Sequence, residues 1–401
     1  MEVIIGGKGA PPPPKKQPNL LVRLLAFLLT LALMLGAVAL VAHRDKLNFD
    51  ALKRWYSYRD LTKSESGQAG TFSFDGSPSD PCASLEGDLL TCSTGAGIRL
   101  YSQGGALLFH RAVTLSHPSV ESSGRYGLVY DVGGRDLYLY SERTETYTSS
   151  LPLGQTLLSA RVNQHGWLAV VSQESGHKGA VTVYNGGHEA VMGVHLSNRF
   201  VLDAVVSPDS RSAAVLTAGL EDGVFQCWLD LYRLDRTDRT AEDNAPDWSC
   251  SLGNNAVLSL RWDGDGIWAL GESSLSLVSS DGELAGSYAY DGTHLKAFSL
   301  EGEGSAALLL GKYRAGSDAR LVLLSPQGEV QAQLELHEQV LSLSSAGRYT
   351  AVLTADRLDI YDQNLELYDS LAGTQGARQV MQRSDGSALL LRVGLAQLYV
   401  P

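Results

Sequence analysis

Cysteine is scarce, with four in 401 residues, too few for the dense framework that holds a small secreted scaffold together. The signatures of chemistry that leave a linear trace are missing too. There is no H-E-x-x-H, no G-x-x-x-x-G-K-[ST] and no G-x-S-x-G, which excludes the common zinc protease, P-loop and nucleophile-elbow readings. No C-x-x-C pair offers a metal or haem site. Gly302 to Ala307 fits G-x-G-x-x-A but leads into a strand, so it reads as a turn and not as a dinucleotide site. The nine histidines are scattered, and the local group His177, His188 and His195 has spacings that match no helical or hairpin metal pattern. Asp263-Gly264-Asp265-Gly266 holds two carboxylates, fewer oxygens than a calcium loop supplies, and Asp-Gly is the preferred hairpin turn, repeated at Asp281-Gly282, Asp291-Gly292 and Asp385-Gly386. No catalytic residue, metal or cofactor is therefore expected.

Positive charge is also in short supply, and unevenly so. Residues 1–70 carry 10 Lys and Arg against 5 Asp and Glu, a net of +5, whereas 71–401 carry 22 against 39, a net of −17. A domain of that sign repels phosphate backbones, so no nucleic acid partner is expected. Beyond residue 70 there is no sustained helical period. Short apolar runs instead alternate with Gly, Asp, Ser and Asn, and the 42 glycines suit a chain of tight turns.

Aligning those runs reveals a repeated unit of four short strands. The clearest copies are VESSGRYGLVYDVGGRDLYLYS (120–141), ARVNQHGWLAVVSQESGHKGAVTVYN (160–185), AVVSPDSRSAAVLTA (204–218) and LSLSSAGRYTAVLTADRLDIYD (341–362), with others beginning near Leu85, Ser259, Ala297 and Gln379. Their turns fall at Gly87, Gly124, Gly166, Ser210, Gly264, Gly304, Gly347 and Gly386, at intervals of 37 to 54 residues, around the length of a propeller blade, about 40–45 residues. An all-β β-propeller of eight four-stranded blades is expected, because radial packing buries both faces of each blade. The last copy has three strands, and Thr71 to Asp75 supplies the fourth from the N-terminal side, removing an exposed edge. Seven blades is the alternative, since the copy from 203 to 258 is stretched by the loop Asp235 to Pro246.

Four segments are expected along the chain. Residues 1–19 form a basic, proline-rich tail, 20–42 a single transmembrane helix, 43–70 an amphipathic helix and linker, and 71–401 the propeller. Leu24 to Ala42 contain no charge, and nineteen residues at about 1.5 Å each nearly match a hydrocarbon core. A cleaved signal peptide competes with this reading, since Ala37-Val38-Ala39 resembles a cleavage site. Arg23 would snorkel to the interface, and Trp55, Tyr56 and Tyr58, beside Lys53 and Arg54, suit a headgroup region or pack on the following domain. Lys and Arg are nearly balanced across the segment, so the cysteines decide orientation. Cys82 and Cys92 stand five residues either side of Gly87, and Cys227 and Cys250 flank the long loop. Two disulfides would place the propeller outside the cell with its N-terminus in the cytoplasm; buried, reduced thiols are the alternative. Trp228, Trp248, Trp262 and Trp268 lie in adjoining copies and either line a pocket or pack the core.

The stretch DALKRWYSYRDL, a spacer, TFSFDG and then LEGDLLTCSTGAGIRLY resembles an uncharacterised family of single-span, membrane-anchored proteins of Gram-positive bacteria with WD40-like or quinoprotein-like repeats. The resemblance implies a membrane-anchored propeller of unknown function and carries over no catalytic residue. The tryptophan-docking motifs and adjacent cysteines of quinone-dependent dehydrogenases are not visible. A non-enzymatic scaffold at the lipid bilayer, binding a protein or cell-envelope partner, is expected. A sensor signalling through the N-terminal tail and an enzyme with its site at the propeller channel are the alternatives.

Overall fold

Apolar runs of five or six residues between left-handed turns have one stable outcome, a series of antiparallel hairpins, and the computed structural model contains eight such four-stranded sheets among its described residues. These are residues 24, 25, 27–31, 34, 49–59, 61, 64, 66–236, 244–264 and 266–401. The chain divides into two compact units, Met1–Tyr56 and Ser57–Pro401.

Blades 1 to 7 occupy residues 82–111, 118–150, 156–196, 200–253, 257–289, 294–336 and 342–372, each pairing its strands in chain order. Blade 8 takes Gln379–Gln382, Ala388–Arg392 and Leu395–Tyr399 from the end of the sequence and Gln68–Ser73 from before blade 1. Thr71 stands opposite Gln397 and Phe72 opposite Ala396. The expected closing strand is thus present, starting three residues earlier than the Thr71 to Asp75 segment suggested. Eight blades, not seven, are formed; the long copy remains one sheet, with the loop joining its third and fourth strands.

The eight turn residues chosen from the sequence join the first and second strands of the eight blades, and all adopt the left-handed region, with φ from 54° at Gly264 to 90° at Gly87. Seven are glycine, which takes that conformation without a Cβ penalty. The exception, Ser210 (φ 62°), accepts a hydrogen bond at Oγ from Asn163 Nδ2 of the preceding blade at 2.8 Å, and that bond offsets part of the strain.

Packing follows from burial of both faces. In the second strand of blade 4, Ser212–Glu221, Ala213 and Val215 enter a core with blade 3, while Ala214, Leu216 and Ala218 enter the core with blade 5. Middle strands therefore read as unbroken apolar runs. Fourth strands, such as Thr144–Ser150, alternate exposed and half-buried residues. Each interface between neighbouring blades carries its own hydrophobic cluster, including Tyr349, Ile360, Leu390 and Tyr399 between blades 7 and 8.

The expected transmembrane helix is corrected. Among the described residues no helix is long and apolar enough to cross a membrane. Of the expected span only residues 24, 25, 27–31 and 34 are described; the remainder, Arg23 included, lies outside the described residues, as does the tail 1–19. The longest described helix, α1 (Phe49–Ser57), has nine residues, about 13 Å at 1.5 Å per residue against a core of about 30 Å.

Candidate functional site

First strands of successive blades lie against one another and form the inner ring, and this ring is where ionisable side chains converge. Arg161 of blade 3 donates from Nη1 to Glu121 Oε1 of blade 2 at 2.7 Å and from Nη2 to Asp203 Oδ2 of blade 4 at 2.9 Å. Ser159 Oγ donates to the other Asp203 oxygen at 2.5 Å, so the buried Asp203 carboxylate is satisfied on both sides. Arg261 of blade 5 is ion-paired with Glu301 of blade 6. Burial pushes the Glu121 carboxyl up, opposed by Arg161 and assisted by Asp203 and Glu301. Glu301 stands on the blade diametrically opposite, so both carboxylates face one central space. Burial lowers the Arg161 guanidinium, but Asp203 and Glu121 outweigh it and hold the group charged.

The cysteines are dispersed among the interfaces between blades. All four are free, which overturns both expected disulfides. In blade 1 the turn centres between Glu86 and Gly87, pairing Leu85 with Asp88 and Cys82 with Thr91. Counting from Gly87 itself misplaces the partner by one residue, and one residue reverses the face. Cys92 enters the core between blades 1 and 2. Cys82 faces blade 8, with Sγ 3.5 Å from Gln379 Oε1 and 3.7 Å from Met381 Sδ. Cys250 pairs with Leu229 and Cys227 with Gly253, so the second pair shares a core cluster as diagonal neighbours. Burial pushes the Cys82 thiol up to about 11 and Cys92 to about 12, leaving all but a small fraction protonated at neutral pH. The external placement of the propeller drew on those disulfides and loses their support.

The other candidates fall in separate places. Trp55 and Tyr56 are exposed on α1, whereas Tyr58 is buried, its hydroxyl accepting from Arg383 Nη1 at 3.0 Å and bonded to Ser387 Oγ at 3.0 Å. Tyr58 is therefore a packing residue of blade 8, not an interface anchor. Trp268 is core, Trp228 lies under the Arg199 guanidinium at 4.0 Å, Trp262 packs against the core between blades 4 and 5, and Trp248 is exposed. Asp263 Oδ2 accepts from Gly304 N at 3.2 Å, a link between turns of blades 5 and 6, and Asp265 lies outside the described residues. His188 stacks on Tyr147 at 4.2 Å, apart from His177 and His195, which meet each other and Glu174. Sequence spacing hid that meeting, because it depends on the pairing of Ala180 with His195.

Exposed large apolar residues in the turns mark one end of the ring. The second-to-third-strand turns carry Val132, Tyr313 and Val393, the projecting hairpin of blade 4 carries Leu220 and Val224, and the connection from blade 2 to 3 carries Leu153 at 88% exposure. The opposite end's exposed apolar residues, Leu107, Trp248, Leu284, Val330 and Leu367, open the fourth strands of their blades, one position set by the repeat. The first end also holds a cleft of about 680 Å³ between blades 5, 6 and 7, lined by Leu258, Glu272, Lys296, Arg314 and Gln339. Glu272 and Arg314 pair across it at 3.1 Å.

The fold has solved counterparts. The C-terminal WD40 domain of Sif2 superposes with a TM-score of 0.54 at 13% identity, covering 84% of this chain and 96% of that one. BamB from Moraxella catarrhalis superposes with a TM-score of 0.50 at 14% identity, covering 83% and 97%. At these identities the likeness is one of fold. No curated protein sequence matches the chain. The sequence profile that does match spans residues 64–367, from the spacer before the closing strand to the last strand of blade 7, and on that extent the chain belongs to the family of unknown function DUF5711.

Proposed function

We propose that this propeller is a protein-binding scaffold, and that it binds through the end built from second-to-third-strand turns and interblade connections. The observation that carries the reading is that turns of alternate blades and one interblade connection all present exposed apolar side chains at that end. Loops held on a rigid scaffold are where such folds bind, and apolar side chains on them are what a partner would cover. The adjacent cleft adds paired charges that orient a partner, and rigid strands hold the loops in fixed relation. The superposition on a WD40 domain is compatible with a scaffold, although fold alone does not set function.

A catalytic reading of the inner ring draws on the convergence of Glu121, Arg161, Asp203, Arg261 and Glu301. Each of these is held in an ion pair between neighbouring blades, an arrangement whose evident role is to lock blades together, so the scaffold is favoured. Signalling through residues 1–19 rests on a segment outside the described residues.

Site-specific photo-crosslinking in cells that make the protein tests the proposal. A crosslinker at Leu220 or at Tyr313 should capture one common protein, while a crosslinker at Asn364, in a turn of the opposite end, should capture none. Capture from Asn364 alone, or from none of the three, would overturn it.

A further inference from the structure

Blade 3 carries, at its second-to-third-strand turn on the proposed binding end, a polar group of side chains that belongs neither to the exposed apolar turn residues nor to the inner ring. The turn after its second strand runs from Glu174 to His177, closed by a hydrogen bond from His177 N to Glu174 O at 3.2 Å, which sets the two side chains together. The fourth strand, Ala190–Leu196, pairs Ala180 with His195 and brings that ring to the turn. His195 Nδ1 lies 2.8 Å from Glu174 Oε2, and the two imidazole rings stand 5.3 Å apart, tilted by 52°. One donor atom from each of Glu174, His177 and His195 lies within 4.8 Å of the others.

From this geometry we propose a zinc site formed by Glu174, His177 and His195. Tetrahedral Zn²⁺ with bonds of about 2.0–2.1 Å holds its donors about 3.4 Å apart. The widest donor separation, up to 4.8 Å, must therefore close by about 1.4 Å at most and the 2.8 Å between His195 Nδ1 and Glu174 Oε2 must open by about 0.6 Å; His177, exposed on a turn, can make the first movement. Two imidazoles with one carboxylate suit zinc better than calcium or magnesium, which take oxygen ligands. The surrounding groups already orient the ligands. Gln155 Nε2 donates to Glu174 Oε1 at 3.0 Å, and Ser197 Oγ lies 3.1 Å from His177 Nδ1. Asn244 Oδ1 accepts from the His195 backbone N–H at 2.8 Å, fixing the strand behind the ring. Such outer partners set ring orientation and ligand basicity at metal sites. Three protein ligands leave a fourth position for water or another donor.

Titration of the metal-stripped full chain with Zn²⁺ against a chromophoric indicator tests the site. The wild type should bind one equivalent, and His177→Ala or His195→Gln should each weaken binding about tenfold or more. His188→Ala, at the other end of the blade, should bind as the wild type does. Zn²⁺ should also raise the melting temperature of the wild type and not that of the His177→Ala/His195→Gln double variant, whose fold is checked by circular dichroism. Absence of stoichiometric binding by the wild type, or binding undiminished in the folded double variant, would overturn the site.

Discussion

Gly347 and Gly304 hold equivalent turn positions, with φ of 56° and 60°, yet their surroundings differ. A Cβ on Gly347 would sit 3.1 Å from the Ser384 backbone and side chain, whereas one on Gly304 would meet only Pro326 Cγ, at 3.9 Å. Gly304→Ala should therefore cost the left-handed strain alone, about 1 kcal/mol, and Gly347→Ala that strain plus a collision with blade 8, about 2 kcal/mol or more. Urea unfolding of both variants measures the difference, and equal losses would contradict the packing described. These positions were legible in the sequence because a positive φ leaves a residue-type signature. The cysteines left none: Cys82 and Cys92 are symmetric about Gly87 in number, but the hairpin turns between Glu86 and Gly87. That half-step decides whether two thiols meet or face opposite cores.

At the scale of the blade, apolar runs and turns announced the strands, while the side chains that join blades stayed hidden. Arg161 finds its partners 40 residues back at Glu121 and 42 residues on at Asp203, one repeat away in each direction, and no local pattern reports such a contact. Burial holds the Glu121 carboxyl above its ordinary value of 4.5, with Asp203 and Glu301 adding to the effect against Arg161. The folded state consequently binds this proton more tightly than the unfolded chain does. The resulting stability is fully present below the unfolded value and is lost as pH rises through the folded value. Glu121→Gln removes that titration, so the variant should gain on the wild type as pH rises from below to above the ordinary carboxyl value of 4.5. Parallel stability curves for the two proteins across that range would show that the carboxyl is not perturbed.

For the molecule as a whole, the account depends on how the ring closes. The repeat count was legible because each blade places a left-handed residue in the turn between its first and second strands, and the need for a strand from the N-terminal side followed from a last copy with only three. What the sequence did not disclose was which exposed apolar turns share an end of the ring, since that emerges only when turns from blades 2, 4, 6 and 8 are brought to one side. The proposed binding end is rigid only if blade 8 is complete, with Gln68–Ser73 paired to Leu395–Tyr399. Amide hydrogen exchange tests this most directly. The amides of the closing strand that face Leu395–Tyr399 should exchange as slowly as those of that strand, in one cooperative unit. Exchange of Gln68–Ser73 within seconds, while Leu395–Tyr399 remains protected, would contradict closure by the N-terminal strand.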